Sequence, residues 1–497
     1  MSLRSRAAVR VWRTRNARTV GDRGYLAYLV VMVTLVVAAP LARAVWLSAA
    51  TADGVALLAS RDAPAVTGVG VAALWAAALL LGGRRGPVLR APFLTHALAT
   101  SDLRRSDAFR GPLLRAGAVA TSSTTVIAGV VGSSLLAHDL ADPLAVLGFT
   151  AAGVMVGVIS TVAWLTGQVF PRVATPLALG IMALGAAGVA VPEMRTFTPW
   201  GWVALAYPGG HAPTALAALC ATVVTLVAAV PMMMDRLSHA QLAAQAARWD
   251  SATIHAAGMD FSTAAAVYRP RPHLGRRVRA VRPAGWLPMT FFMRDAIGAA
   301  RTPGRLIVGI LSLVCAAVFL TLAFAPGVPG LVLGATAGVV LFAGLGPVTD
   351  GLRHAVYVAS DYSLYGISDE HLLLNHLLFP LVMVVVVVTV AAWICATAAA
   401  IGLIPPVLGS LALGLLALLA RVGNALKGPL PPGLLAPVPT PVGDAGAAIR
   451  LIWALDAVLA AAVAGVAAVL VIEAPALLVG VAVTLFGVAS HRWRRRA

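Results

Sequence analysis

Charge is scarce in this chain. Only 11% of its 497 residues are Asp, Glu, Lys or Arg, against about 25% in ordinary soluble domains. With 60% of the residues hydrophobic, too few polar side chains remain to cover a water-facing surface. A soluble enzyme, a disordered chain and a conventional DNA-binding protein are excluded. Lysine is nearly missing: Lys427 is the only one, and Gly428 follows it. A Walker phosphate loop needs Lys followed by Ser or Thr, so the sequence carries no such ATP site. Cysteine is rare as well. Cys220, Cys315 and Cys395 all lie inside apolar runs, which implies neither a disulfide framework nor a thiolate metal site and predicts small, buried side chains.

What the chain has instead is long apolar runs. Twelve are long enough to cross a bilayer, near 25–47, 63–82, 112–135, 144–168, 173–191, 212–231, 305–325, 328–346, 376–398, 403–420, 449–471 and 474–490; one span takes about 20 residues. The expected fold class is an all-α polytopic membrane protein with about twelve transmembrane helices. Its net charge of +18 comes almost wholly from arginine. These arginines sit at span ends and in a few loops rather than in a solvated basic domain, so no nucleic-acid partner is implied. With the N-terminus inside, 34 of the 37 basic residues fall on the cytosolic side, and only Arg43, Arg61 and Arg195 lie outside. The positive-inside rule then places both termini in the cytosol of a plasma (inner) membrane protein. Ala42-Arg43-Ala44 resembles a small-x-small cleavage site, but the long apolar run and the arginine inside the site argue against a removed signal.

The runs fall into two six-span halves, 25–231 and 305–490, joined by a cytosolic segment 232–304. In that segment, Asp235 through Trp249 reads as a helix continuing out of the sixth span, followed by an extended basic stretch from Tyr268 to Arg282 suited to anionic lipid headgroups. The halves echo each other. Ala17-Arg18-Thr19-Val20-Gly21 precedes the first span and Ala300-Arg301-Thr302-Pro303-Gly304 the seventh; Ser101-Asp102 follows the second span and Ser368-Asp369 the eighth. Each Ser-Asp pair is a good N-cap for the helix after it. About ten residues later each half re-enters the membrane at Pro112 or Pro380. Residues 1–24 form an amphipathic interfacial helix, with Arg6, Arg10 and Arg13 on one face and Ala8, Val11 and Trp12 on the other. Residues 491–497 form a basic tail.

Two cytosolic turns, 83–111 and 347–375, interrupt the spans at matching places. Gly83-Arg84-Arg85-Gly86-Pro87-Val88-Leu89 followed by Ser101-Asp102-Leu103-Arg104-Arg105, together with Lys427-Gly428-Pro429-Leu430-Pro431-Pro432-Gly433-Leu434-Leu435-Ala436-Pro437, resembles the type-2 ABC exporter permeases of high-GC bacteria that carry both six-span halves on one chain. That resemblance implies a separate ABC ATPase subunit, in two copies, which binds ATP-Mg and docks on the cytosolic turns. It also implies outward transport of cargo. Asp102, Arg104 and Arg105 on one turn, and Asp369, Glu370 and His371 on the other, are the residues expected to seat the ATPase. The same charges also suit plain headgroup anchoring or helix capping. The second turn is more acidic than the first, and no large external domain is present. No cofactor is expected in this chain itself.

Inside the spans, Asp456 is the one clear carboxylate, a candidate for the transport path or for a structural hydrogen bond. Thr121, Ser122 and Thr125 belong to a hydroxyl cluster in the third span that suits helix–helix bonding as well as cargo. Trp200 and Trp202 lie in an outer segment of prolines and aromatics that reads as an interfacial belt or a short re-entrant gate, without a counterpart in the second half. Gly153-xxx-Gly157 and Gly334-xxx-Gly338 predict close helix packing. The cargo expected is a small molecule, a peptide or a lipid-like compound. Two other classes fit the composition: a secondary transporter with two rocking repeats, which would need Asp456 near the midplane, and a membrane enzyme of envelope assembly using outer acids. No HExxH motif or Ser–His–Asp set supports the enzyme.

Overall fold

A computed structural model describes residues 39–209, 213–269, 285–359, 366–428, 430–434, 439–440 and 443–495, with isolated positions at 7, 11, 24, 27–28, 31–32, 34–35, 272, 274–275 and 279. Most of the expected N-terminal interfacial helix, part of the first apolar run and most of the basic stretch 270–284 lie outside these residues. The chain divides into two compact units, Met1–Ile254 and His255–Ala497. The boundary falls within the segment expected to join two halves.

The first unit contains α1 (Ala39–Ala49), α2 (Ala52–Leu58), α3 (Ala63–Arg84), α4 (Pro92–Ala99), α5 (Arg105–Ala108), α6 (Arg110–Leu136), α7 (Pro143–Val169), α8 (Pro171–Ala190), α9 (Pro199–Leu205), α10 (Pro213–Asp235) and α11 (His239–Ala257), the last of which crosses the boundary. The second contains α12 (Phe261–Ala266), α13 (Leu287–Ala300), α14 (Pro303–Leu322), α15 (Gly330–Gly344), α16 (Asp350–Val358), α17 (Asp369–Ala398), α18 (Ile404–Ala425), α19 (Ala445–Val469) and α20 (Pro475–Arg494). Apart from helix, the described residues hold one two-residue antiparallel ladder, Pro439–Thr440 with Gly443–Asp444. Among the described residues, ten helices are long and apolar enough to cross a membrane, which makes this a polytopic all-α membrane protein. The run expected at 328–346 forms only the 15-residue α15, about 22 Å at 1.5 Å per residue.

Proline sets many of the helix starts. It stands at the first or second position of α3, α4, α7, α8, α9, α13, α14, α18 and α20, where its missing N–H would have no intrahelical partner. Asp142 adds a side-chain cap to α7, accepting the Ala145 N–H at 2.9 Å. Ser368 caps α17 as expected, its Oγ lying 2.8 Å from His371 Nδ1 and accepting the His371 N–H. Ser101 does not cap. Its hydroxyl donates back to the Leu98 carbonyl at 2.8 Å, closing α4, and α5 begins only at Arg105 without a side-chain cap. The helix expected to continue out of the sixth span also breaks. α10 ends at Asp235, and Ser238 Oγ accepts the Gln241 N–H at 3.2 Å to start α11 on a new axis.

Large apolar side chains face outward along the spans: Val126, Ile127, Leu144, Leu147, Leu179 and Val386 are all exposed, as a lipid solvent permits. Cys220 and Cys315 are on these outer faces and Cys395 is half-exposed, so none of the three is the buried core residue expected from its apolar neighbours. In a bilayer an apolar run says nothing about which face points inward. The closest helix crossings are made by small residues. A Cβ on Gly338 would lie 1.9 Å from the Ala461 carbonyl oxygen, and one on Gly465 the same distance from that of Gly334; α15 and α19 therefore touch backbone to backbone. Gly157 meets the Thr121 backbone in the same way, and Gly167 meets Leu79.

The packing order repeats. In the first unit α3 packs on α7 and α8, α6 on α7, and α10 on α7. In the second, α15 packs on α18 and α19, α17 on α18, and α20 on α18. Taken in chain order, these are the same four pairings. Replacing Gly338 with Leu must separate two backbones, an overpacking cost of about 2–3 kcal/mol; the full-length protein should lose several degrees of thermal midpoint in mild detergent. Gly480→Leu, where a Cβ meets nothing within 4 Å, should leave the midpoint unchanged.

Candidate functional site

The chain has only three glutamines, Gln168, Gln241 and Gln245, and all three meet at one end of the first unit. Gln168 closes α7 and is fully buried. Its Oε1 accepts the Val88 N–H at 3.2 Å, and its Nε2 donates to the Val88 carbonyl at 3.3 Å and to Gln245 Oε1 at 2.9 Å. Gln245 Oε1 also accepts the Gly86 N–H at 3.2 Å, while its Nε2 donates to the carbonyls of Gly82 and Gly83. Gln241 donates to the Gln168 carbonyl. The end of α3, the extended stretch 85–91, the end of α7 and the face of α11 are thereby fastened into one block. Gly86 is required by this knot, because a Cβ there would overlap the Gln168 side chain at 1.8 Å.

The turn after α3 rests on that block. Thr95 of α4 donates to the Arg90 carbonyl at 2.9 Å. Leu94 and Leu98 pack with Phe109, Leu113, Met234 and Leu237 in a single buried cluster. Asp235 at the end of α10 accepts the Ser106 N–H at 2.9 Å, and His239 Nε2 lies 3.1 Å from His96 Nδ1. Trp164 Nε1 donates to the Arg85 carbonyl at 2.5 Å, and the Arg85 guanidinium lies 3.4 Å over the Trp249 ring. The result is a rigid projection. Asp102 and Arg104 are exposed on it and Arg105 is half-buried, so the three charges expected to dock a partner share one short stretch of firmly seated backbone.

The second unit presents its own turn differently. α16 and the start of α17 flank residues 360–365, which lie outside the described residues and include Asp361 through Tyr365 of the expected turn. Glu370 and His371 are exposed and Asp369 is half-buried. Beneath them sits a polar chain. Arg294 NH1 lies 3.1 Å from His376 Nε2, and His376 Nδ1 lies 2.7 Å from Asp295 Oδ2. His376 thus bridges Arg294 and Asp295 through its two ring nitrogens. His376 is fully buried and Phe291 meets its ring edge-on at 4.9 Å, so α13 is bolted to α17. Burial, followed by the nearby positive charge of Arg294, holds His354 below the usual histidine range. Asp350, at the start of α16, pairs with Arg305 and Arg269.

The candidates within the spans fall elsewhere. Asp456 is not a lone carboxylate: Lys427 Nζ lies 2.6 Å from its Oδ1 and Arg492 NH2 2.5 Å from its Oδ2. Lys427 also sits 4.1 Å over the Trp453 ring. The only lysine of the chain and this carboxylate therefore form part of a clamp across the residues following α18, α19 and the end of α20. In the hydroxyl cluster, Thr125 donates to the Thr121 carbonyl at 2.7 Å, and Ser123 and Thr124 also bond within their own helix. Ser122 is exposed, and Thr121 faces the Gly157 crossing. Trp200 is buried, not belted at an interface: its ring meets Trp75 edge-on at 6.3 Å, and Tyr207 donates to the Leu58 carbonyl at 2.8 Å. Trp202, half-buried, donates to the Thr196 carbonyl at 2.7 Å. The segment 199–207 is thus folded back onto α3, and in the second unit only five residues separate α19 from α20.

Sequence reasoning missed the glutamine knot. The signal was available, since three glutamines in an apolar chain, two of them four apart on a helix, are polar groups that must find partners. No family model, characterised protein or solved structure matches this chain. Replacing Gln168 with Leu strands the Val88 peptide and Gln245 in a buried site, at about 1–3 kcal/mol for each unsatisfied group. Trypsin should then cut at Arg85 or Arg90 at least about tenfold faster than in the parent protein. Asp456→Asn should lower the thermal midpoint well beyond Glu473→Gln, because it leaves two cations held by a neutral amide.

Proposed function

We propose that this chain is the membrane-spanning permease of an ABC exporter, driven by a separate ATPase subunit that docks on its turns. The observation that carries the reading is the repeated short helix. In chain order, α4 follows the second apolar run and α16 follows the eighth, and each lies packed against its unit rather than loose. A permease without an ATP loop of its own has to receive work mechanically, and only a turn fixed to the spans transmits a push. The glutamine knot gives the first turn that stiffness, and the Arg294–His376–Asp295 chain anchors the helix after the second. On this reading the arginine-rich end faces the cytosol, ATP-Mg belongs to the partner, and two ATPase copies serve one chain. The cargo is apolar or amphipathic and moves outward.

The rival reading is a secondary transporter with two rocking repeats, supported by the recurring pairing order. It needs a titratable carboxylate for coupling. Asp456 suits that role poorly, because Lys427 and Arg492 already pair with both of its oxygens and these pairs tie three segments together. Among the described residues, no gathered acidic site supports a membrane enzyme of envelope assembly.

Affinity purification from native membranes should bring down an ATPase subunit. Arg104→Glu with Arg105→Glu should release it by tenfold or more while the thermal midpoint falls by no more than a few degrees, since Arg104 is exposed and Arg105 half-exposed on the packed turn. A chain that purifies alone, and transports in membranes stripped of ATP, would sink the exporter reading.

A further inference from the structure

The second turn holds one ionisable ring in a place that suits only its neutral form. His354 of α16 is half-buried, and among the described residues its buried Nε2 has no hydrogen-bond partner. The His376 ring stands 6.2 Å away, edge-on, with both of its nitrogens already engaged by Arg294 and Asp295. Asp295 is occupied on its other side as well. It backs the α16 chain so tightly that a Cβ on Gly351 would lie 2.2 Å from its Oδ2. Gly351 and His354, three apart on the helix, share a face. Next to them Ala355 is buried with Phe291 of α13 and Leu372 of α17. This contact seats α16.

The charges around this ring are few. α13 brings Arg294 and Asp295 to it, and α17 brings His376. In the first turn of α17, Asp369 is half-buried, and Glu370 and His371 are exposed. Arg421 of α18 acts on Asp350, Arg305 and Arg269 instead. α20 packs Ala489 and Trp493 into one cluster with Leu352 and Val356; its Arg492 is held by Asp456, and its His491 and Arg494 are exposed. On α16 itself Asp350 pairs with Arg305 and Arg269, and Arg353 is half-buried. Among the described residues, His354 therefore meets one carboxylate, one guanidinium and a second imidazole. Burial first, then Arg294 and His376, disfavour charge on it, and Asp295 opposes them less. A proton on Nε2 would create a buried donor without an acceptor and set a positive charge near Arg294.

We propose that His354 is an acid-sensitive latch: when its ring takes up a proton, α16 comes away from α13 and α17 and the second turn loosens. The released helix binds that proton more readily than the seated one. Seating is therefore complete above the ordinary histidine range and weakens as pH falls through it, by at most about tenfold per pH unit for a single proton. The stiffness of this turn then follows proton concentration on its own side of the membrane. The latch stands whether or not an ATPase drives the chain, because it rests on the seating of α16 and not on the docking charges.

The test is amide hydrogen exchange on the full-length chain in mild detergent, corrected for the pH dependence of the chemical exchange rate. Between about pH 7.5 and about pH 5, protection of residues 350–358 should fall at least about fivefold. Residues 199–205, which carry no titratable side chain, should keep theirs. His354→Gln and His354→Leu, neither of which can take up the proton, should hold α16 protected at the lower pH. His371→Gln, at an exposed histidine of α17, should keep the response of the parent protein. Unchanged protection of 350–358 across the range, a response that survives in either His354 variant, or one that vanishes in His371→Gln would each overturn the latch.

Discussion

Everything else in these two units depends on how closely their helices approach. In hydrocarbon, helices gain little by hiding apolar side chains from one another, so packing has to come from short-range contact and from bonds between polar groups. Glycine and alanine make that contact possible here. Gly338 against Ala461, Gly465 against Gly334, and Gly157 against Thr121 bring backbones together at distances no larger side chain would permit. At the crossings bulky residues are kept off the contact, and others such as Ile127, Leu147 and Val386 meet lipid. At these crossings the backbones touch, and elsewhere bulky side chains such as Phe109, Trp75, Leu313 and Leu341 fill the interior.

Once the helices are that close, the few polar groups become decisive. A buried amide or charge in a low-dielectric setting costs free energy unless every donor and acceptor is met. The protein concentrates such groups into a handful of fully connected sets. The glutamines join α3, α7 and α11. Arg294, His376 and Asp295 join α13 to α17, and Lys427, Asp456 and Arg492 close the far end of the second unit. Each set lies at or beside the end of a long helix. The spans are thus held by shape along their length and by specific bonds at their ends, and the turns that project from those ends inherit their rigidity.

The likeness between the units has the same origin. The same four helix pairings recur although few identities are shared between the halves. Pairing requires only that small residues fall on the correct faces, and many sequences satisfy that. The first unit departs by folding 199–207 back onto α3, which buries Trp200 and Tyr207 and uses indole and phenol as core material rather than interface anchors. An interfacial aromatic and a buried one have the same composition. They differ in whether a groove of small residues, here around Gly68 and Gly185, lies within reach.

Much of the architecture was legible in the residues alone. Hydrophobic run length determined the membrane class, because span length is a local property. The paired Gly-xxx-Gly motifs announced close crossings for the same reason. Partners were not legible. Nothing local says that Gln168 meets Gln245, that Lys427 meets Asp456 and Trp453, that Arg85 stacks on Trp249, or that Ser101 turns back to Leu98 while Ser368 caps forward. Run length and helix punctuation are settled by the chain's immediate neighbours and its solvent. Which polar group satisfies which, and which cation stacks on which ring, is settled only when distant helices come into contact.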